Sequence, residues 1–492
     1  MTIPRSRRSQ RALAALATAA VLSLAACSSS SSHASNTTAA STASTSSAST
    51  TAPAATQPLG VTWMTGYAAP GTPAKYDKVG VIKVGSPTAK NVLVLEPGTS
   101  AGSAYFVPLA QWIVSKAPGW QVWSVERREN LLEDQSVLDR FKQHKVTQQQ
   151  AYDYYLGYLK DPSIKNHFQL IPTSQVEFAK QWGMNVAVQD LHTVITAAKT
   201  LGGKVVLGGH SLGGSVVTAY ATWNFSGRAG ADGLAGLVYI DGGSGTKSTS
   251  ASAASAELAT LNAPSASPWL NFGGIPAPYA GVYIATGSGA ALLAPNDPSL
   301  GQTSGLLPKE IVPPVRATNA GQFGYALNAA SSPASLAAAQ AHLGTGLASA
   351  GPVHGWNSAG ALTPINRFAT MFAGIGMTGV DGSEWYFPQR LTDDTGAVGN
   401  GNANPAQSVL GVDATMGHQL PKSLLIYAFA AHLGNARVIT GAQALAQQSG
   451  IPASNLVLVN RASTYAHNDP AGAYPNNDFF NDLLPFLGRV AG

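Results

Sequence analysis

Residues 204–217 read Lys-Val-Val-Leu-Gly-Gly-His-Ser-Leu-Gly-Gly-Ser-Val-Val, an apolar run followed by a serine among glycines. The run before Gly208 predicts a buried strand, and the residues after Ser211 predict a helix. A serine on such a sharp turn has a strained backbone conformation. Glycine at positions 209 and 213 allows the chain to turn this sharply, because glycine has no Cβ that would clash. The stretch therefore predicts a strand–turn–helix unit that presents the Ser211 hydroxyl as a nucleophile.

The pattern Gly-x-Ser-x-Gly occurs twice in the chain, around Ser211 and again around Ser100 in residues 98–102. In a chain with 52 glycines a chance match is expected, so the pentapeptide alone does not choose between them. The strand before Ser211 follows a helix and a further strand, and a histidine lies downstream after the last predicted strand. Ser100 instead follows the first strong strand. Ser211 is the predicted nucleophile, and Ser100 is its rival.

A serine hydroxyl is a weak nucleophile at neutral pH, so a base within hydrogen-bond reach is needed, and histidine has a suitable pKa. His467 is the predicted base because it follows the last predicted strand, 456–459, and precedes the terminal helix. The alternatives fit less well: His210 lies inside the turn itself, and His418 and His432 lie near the preceding strand.

Strand and helix signals alternate over residues 59–242, stop over 243–420 and resume over 421–492. The middle stretch, rich in Ala, Gly and Pro with scattered aromatics, is predicted to be a lid domain because it is too long for a loop. The charges of residues 126–180 are interpreted as the solvated helix faces of an excursion from the first part. The predicted strands are 60–67, 76–84, 91–96, 120–125, 204–207, 234–240, 423–429 and 456–459.

This order of elements, with the serine turn first and His467 last, resembles the α/β-hydrolase superfamily, whose members include esterases and lipases. The resemblance implies an α/β fold with a mostly parallel central sheet, crossover helices and a large inserted lid. It also implies acyl transfer to water through an acyl-enzyme on Ser211. No metal or cofactor is implied.

The resemblance leaves the acid of the site open, because residues 430–435 after the penultimate strand contain neither Asp nor Glu. Some α/β-hydrolases carry the acid directly after the strand that corresponds to residues 234–240 here, and Asp241 stands at that position. Asp241 is therefore predicted to orient His467, with Asp413 and Asp469 as alternatives.

The family's oxyanion hole would consist of two backbone amides. One is the N–H of Leu212, and the other is an amide near Gly98 or Thr99. Glu96 stands just before this loop, where its charge would oppose a developing oxyanion unless the side chain points away.

The N-terminus has the features of an exported lipoprotein. Arginines at positions 5, 7, 8 and 11 precede a short apolar run that ends at Cys27, the only cysteine. The pattern resembles a bacterial lipobox, so residues 1–26 are predicted to be a signal peptide and Cys27 to carry a lipid anchor. Residues 27–58, nearly all Ser, Thr and Ala, are predicted to be a flexible tether. The predicted location is the outer face of the cytoplasmic membrane, or outside the cell.

Removal of the signal peptide would leave 25 basic and 24 acidic side chains, since four of the 29 Lys and Arg and none of the 24 Asp and Glu precede Cys27. The sequence contains no basic patch of the kind that would indicate nucleic-acid binding. The sequence thus predicts an esterase acting on hydrophobic acyl substrates. A thioesterase, amidase or acyltransferase on the same machinery, or a binding lipoprotein without catalysis, are the alternatives.

Overall fold

An eight-stranded sheet forms the framework of the computed structural model, which describes residues 59–349 and 351–492. Its strands correspond to the eight apolar runs of the sequence. In chain order they are β1 (Val61–Thr65), β2 (Lys78–Val84), β3 (Asn91–Glu96), β4 (Trp120–Glu126), β5 (Val205–His210), β6 (Gly236–Ile240), β7 (Leu425–Ala430) and β8 (Leu456–Asn460).

The strands lie in the order β1-β2-β4-β3-β5-β6-β7-β8. β2 is antiparallel to both β1 and β4, and every other neighbouring pair is parallel. The carboxyl ends of β3, β5, β6, β7 and β8 therefore meet at one edge of the sheet, where ligands bind in open α/β sheets. The predicted α/β-hydrolase fold is confirmed by this mostly parallel sheet with its crossover helices.

Successive side chains along a strand point to opposite faces of the sheet. Both faces are buried, as is usual for a mostly parallel sheet that helices cover on each side. In β3, Val92 and Val94 pack into one apolar cluster and Leu93 and Leu95 into the other. Helices cover each face. Within the described residues the α-helices are α1 (Val107–Lys116), α2 (Ser136–Lys142), α3 (Gln148–Tyr155), α4 (Met184–Lys199), α5 (Leu212–Thr222), α6 (Ala251–Leu261), α7 (Tyr279–Leu293), α8 (Leu300–Thr303), α9 (Asn319–Leu327), α10 (Ile365–Ala373), α11 (Gln389–Asp394), α12 (Pro405–Leu410), α13 (Ala436–Ser449), α14 (Asp469–Gly472) and α15 (Asp478–Ala491).

The chain between β6 and β7 is a long insertion that contains α6 to α12 and two short antiparallel strands, Gly346–Leu347 and Trp356–Asn357. Its aromatic side chains Trp269 and Trp385 share an apolar cluster with Tyr155 and Trp182 from the stretch between β4 and α4. The insertion thus packs against that stretch. The boundaries 243–420 for a separate lid domain stay a prediction.

The interpretation of residues 126–129 as a solvated face is wrong, since Glu126, Arg127, Arg128 and Glu129 are all buried. Residues far away in sequence pair with the two arginines. Arg128, for example, donates to both carboxylate oxygens of Asp190 on α4 at 2.7 Å. Burial of paired charges in this way requires partners that a local sequence pattern does not reveal.

The predicted signal peptide, the lipid site Cys27 and the predicted tether all fall in residues 1–58, outside the described residues. In the described ranges no helix has both the length and the apolar character needed to cross a bilayer.

Candidate active site

Ser211 occupies the sharp turn between β5 and α5, with φ 58° and ψ −127°. Few non-glycine residues adopt such a positive φ, and the strain is sustained by the surrounding structure. The backbone N–H of Ser211 donates to the carbonyl of Ile240 on β6 at 3.0 Å, which fixes the turn to the neighbouring strand. The serine side chain is therefore held at the carboxyl edge of the sheet.

Glycines surround this turn because the backbone passes too close for a Cβ. A Cβ on Gly209 would lie 2.8 Å from the nitrogen of Gly214, and one on Gly242 would lie 2.6 Å from the nitrogen of Ser211. Gly98 approaches from the loop after β3, where a Cβ would lie 2.7 Å from the Ser211 Cβ. The spacing of glycines in the sequence thus reflects close packing around one serine.

His467 and Asp241 form a buried pair, with 2.6 Å between His467 Nδ1 and Asp241 Oδ2. The other ring nitrogen of His467, Nε2, is buried and has no hydrogen-bond partner among the described residues. His467 Nε2 and the Ser211 hydroxyl are therefore not hydrogen-bonded in this structure. Hydrogen bonds of this kind are often formed only when substrate is bound.

Asp241 is held by the turn after β7, the stretch that contains no acid. Its Oδ1 accepts backbone N–H bonds from Ala431 at 2.6 Å and Gly434 at 3.0 Å, and its Oδ2 accepts one from Leu433 at 3.2 Å. Burial alone would raise the pKa of Asp241, but the bonds from His467 and from these amides outweigh it and hold the pKa below its ordinary value. Asp241 therefore stays ionised at neutral pH.

The alternative acids lie elsewhere. Asp413 is exposed. Asp469 is buried but accepts from His342 Nδ1 at 2.6 Å, from the Thr363 hydroxyl at 2.7 Å and from the Ala466 amide at 2.7 Å. The structure thus brings Asp241, and neither alternative, to the His467 ring.

Ser211 and His467 line the same small cavity of about 30 Å³, together with the loop 98–101. This is room for about one or two water molecules. A second, larger cavity of about 140 Å³ is lined by residues of the insertion together with residues of α2 and α3. Four apolar residues line both cavities: Phe272, Ala280, Ile284 and Ala339.

Comparison with known proteins finds similarity only at the level of solved structures. No family model and no curated protein matches the chain. A proposed lipase from Sulfolobus solfataricus is 15% identical, with a TM-score of 0.43 over 87% of this chain and 93% of that chain. A monoglyceride lipase from Saccharomyces cerevisiae is 11% identical, with a TM-score of 0.35 over 84% and 92%. A carboxyl esterase from Bacillus coagulans is 12% identical, with a TM-score of 0.34 over 89% and 100%.

The residues whose amide groups were proposed from the sequence lie close to Ser211. Leu212 is the first residue of α5, where backbone N–H groups have no acceptor within the helix. Gly98 and Thr99 belong to the loop that lines the cavity with Ser211. Ser100, the rival serine, lies on this loop with a φ of 54°, so a positive φ does not by itself distinguish the two serines.

Glu96 does not face this cavity. Its Oε1 accepts from Arg127 Nη1 at 2.8 Å, and its side chain is 2% exposed. Burial raises the pKa of Glu96, and Arg127 opposes that rise. The carboxyl is thereby directed towards the guanidinium and away from Ser211.

His210 also contributes to the site, although no sequence signal indicated it. Burial, and then the neighbouring His467, lower the pKa of His210 to about 3, so its ring is neutral. The ring contacts His467 at 4.3 Å between centroids, and Nε2 lies 2.9 Å from the His467 carbonyl oxygen. Because a carbonyl only accepts, Nε2 must carry the proton and donate. His210 thus fixes the backbone of His467.

The insertion also holds the loop that carries His467. Asn468 Nδ2 donates to the carbonyls of Ala338 at 3.1 Å and Gln340 at 3.0 Å, and its Oδ1 accepts from the Tyr105 hydroxyl at 2.8 Å. The one sequence signal for this contact is a polar Asn-Asp pair directly after His467. Its partners in residues 338–342 carry no recognisable motif.

A buried carboxyl beside the loop 98–102 gives a testable pH dependence. Burial raises the pKa of Glu126 from 4.5 to about 8, although its Oε2 accepts from the Ser103 amide at 2.6 Å. The folded protein then retains a proton that the unfolded chain loses above pH 4.5. The free energy of unfolding should therefore fall as pH rises from 5 to 8, by at most about 1.4 kcal/mol per pH unit for this group.

Glu126→Gln should reduce that slope, because glutamine has no proton to lose. Urea unfolding at several pH values between 5 and 8 measures it. Glu384, whose pKa burial also raises to about 8, should leave part of the slope in the variant. A slope that is unchanged in Glu126→Gln would show that this carboxyl is not protonated in the folded state.

Proposed function

We propose that the protein is a serine hydrolase that cleaves carboxylic esters through an acyl-enzyme on Ser211. One observation carries the proposal. Ser211 shares a cavity with His467, whose Nδ1 is bonded to Asp241 at 2.6 Å and whose Nε2 is buried without a partner among the described residues. An unpaired Nε2 beside a serine is the arrangement a general base needs.

The reaction follows from these positions. The Ser211 oxygen attacks the ester carbonyl carbon while His467 Nε2 takes its proton, and the same nitrogen then returns the proton to the leaving alcohol. Water, activated by His467 in turn, releases the acid from Ser211. The ionised Asp241 keeps the Nδ1 proton in place and stabilises the imidazolium. The amides of Leu212 and of Gly98 or Thr99 stabilise the oxyanion.

The larger cavity supports a hydrophobic acyl group as substrate. It is lined mostly by apolar side chains of the insertion, and it shares four lining residues with the smaller cavity that Ser211 lines. Helix α7 runs along both: Ala280 and Gly281 line the smaller cavity, and Gly287 and Ala290 line the larger. At 1.5 Å per residue, the apolar space extends about 13 Å from Gly281 to Ala290.

Ester chemistry is tested by measuring hydrolysis of p-nitrophenyl esters and of the corresponding p-nitroanilides by the full-length protein. We expect ester hydrolysis, with laurate preferred to butyrate because each buried methylene contributes about 0.8 kcal/mol. Cleavage of the anilides without cleavage of the esters would reject the ester proposal in favour of an amidase.

Chain-length preference is tested by Gly287→Leu. A Cβ on Gly287 would lie 3.6 Å from Phe323, so the position has room for a side chain that then fills the cavity. Loss of two buried methylenes should lower kcat/KM for the laurate ester on the order of tenfold. The butyrate ester should be unaffected. Gly488→Leu on the exposed part of α15 is the matched control, because a Cβ there meets nothing within 4 Å.

Equal losses on both esters in Gly287→Leu, or no loss on either, would place the acyl chain elsewhere.

The lipid anchor at Cys27 and the location at the membrane surface are also part of this proposal, and they rest on the sequence alone. An enzyme tethered there would meet substrates that partition into the bilayer.

A further inference from the structure

The loop after β3, residues 97–102, is tied to one buried side chain. Arg127 Nη1 donates to Glu96 Oε1 at 2.8 Å and to the Pro97 carbonyl at 3.0 Å. Arg127 Nη2 donates to the carbonyls of Gly98 and Ala101, each at 2.9 Å. Three carbonyls of one short loop therefore converge on a single guanidinium.

The fifth guanidinium N–H reaches the insertion, where Arg127 Nε donates to Glu384 Oε2 at 2.9 Å. All five donors of the side chain are thus used. The insertion also bonds the loop directly: the Glu384 amide donates to the Ser100 carbonyl at 2.9 Å, and the Gly102 amide donates to the Gly382 carbonyl at 3.0 Å. The loop is held from β4 on one side and from the insertion on the other.

These bonds fix the two peptide groups that matter for the reaction. The Pro97 carbonyl belongs to the same peptide group as the Gly98 N–H, and the Gly98 carbonyl to the same group as the Thr99 N–H. In a trans peptide the N–H and C=O point in opposite directions. Holding both carbonyls on Arg127 therefore directs the Gly98 and Thr99 N–H groups away from the guanidinium.

We propose that Arg127 is a positioning residue that, with Glu384 of the insertion, fixes the loop 97–102 as one half of the oxyanion hole. The inference rests on the proposed function, since it assigns the donors that the reaction needs. It gives the insertion a second role besides covering the cavity. It also explains why an arginine stands here, because only a guanidinium has enough donors in one plane to hold three backbone carbonyls and two side-chain carboxyl groups.

The test is Arg127→Lys, with Arg128→Lys as the matched control. An ammonium has three donors and cannot span the same set, so the loop should lose its fixed orientation. We expect kcat for p-nitrophenyl butyrate to fall on the order of 100-fold in Arg127→Lys, the loss typical of one oxyanion donor. KM should change less than about threefold, because the donors act mainly on the transition state.

Arg128 is also buried and bonded to carboxylates, namely Asp190 and Asp77, but the structure gives it no bond to the loop 97–102. Arg128→Lys should therefore lower the melting temperature about as much while leaving kcat within about threefold. If Arg127→Lys does not fold, Glu384→Ala replaces it, with an expected fall in kcat of about tenfold.

An active wild-type protein whose Arg127→Lys or Glu384→Ala variant retains kcat within threefold would overturn this inference and leave the proposed function standing. An equal fall in kcat for Arg127→Lys and Arg128→Lys would overturn it too, since a loss of packing would then suffice. A wild-type protein that cleaves no ester would instead reject the proposed function itself.

Discussion

Ser211→Ala is expected to lower kcat for p-nitrophenyl esters by about 10⁴- to 10⁶-fold, the loss seen when a serine hydrolase loses its nucleophile. KM should change little, because the cavities and the oxyanion donors remain. The substitution removes a single oxygen and keeps the strained turn, whose neighbouring glycines are unchanged, so the fold should be retained. Steady-state kinetics and the melting temperature together measure both expectations.

Ser100→Ala is the matched control, because Ser100 also lies in a Gly-x-Ser-x-Gly sequence, has a positive φ and lines the same cavity. This variant should keep kcat within about tenfold of the wild type. The reverse pattern, with activity lost in Ser100→Ala and kept in Ser211→Ala, would assign the nucleophile to the other loop.

Asp241→Asn is expected to lower kcat by about 10³- to 10⁴-fold at neutral pH, because an amide cannot make the bonds that the carboxylate makes. Two backbone amides, from Ala431 and Gly434, donate to Oδ1. The single oxygen of asparagine must accept these, so its NH₂ faces His467 Nδ1. That nitrogen then becomes the acceptor, the proton moves to Nε2, and the base is lost.

Asp469→Asn is the matched control for this change, since Asp469 is also buried and bonded to a histidine, His342, at 2.6 Å. It stands two residues from His467 without contacting its ring. The control should lower the melting temperature but keep kcat within about tenfold. A loss in Asp469→Asn as large as that in Asp241→Asn would mean that the loop conformation, and not the tautomer of His467, limits the reaction.

The sheet could be predicted from the sequence because each of its strands is a short apolar run bounded by turn residues. β3 matches its predicted bounds, and β4 and β8 differ by one residue at one end. The helices before and after β5 were also predicted. Strand boundaries shifted most where polar residues continue a strand into the site, as at Gly209 and His210 in β5.

The buried charges after β4 could not be predicted, because their partners lie far away in the sequence. Arg127 pairs with Glu384, 257 residues later, and Arg128 pairs with Asp190, 62 residues later. A local pattern of charged residues suggests a solvated surface, but here the insertion supplies a partner for Arg127, and α4 supplies one for Arg128. The same separation hid the contacts of Asn468 with residues 338–340.

The missing acid after β7 has a physical explanation. The turn there supplies backbone N–H groups from Ala431, Leu433 and Gly434 to Asp241, so it serves as the cradle of a carboxylate that comes from β6. Gly434 is required at this turn, since a Cβ would lie 2.6 Å from Asp241 Oδ1. The glycine in this turn was therefore the sequence feature that could have indicated that the acid comes from β6.

The most direct test of the central claim is covalent labelling of the full-length protein with a fluorophosphonate, followed by peptide mass spectrometry. We expect one adduct, on the Ser211 oxygen. Labelling should be lost in Ser211→Ala and retained in Ser100→Ala. An adduct on Ser100, or no adduct on a folded protein, would contradict the claim that Ser211 is the nucleophile activated by His467.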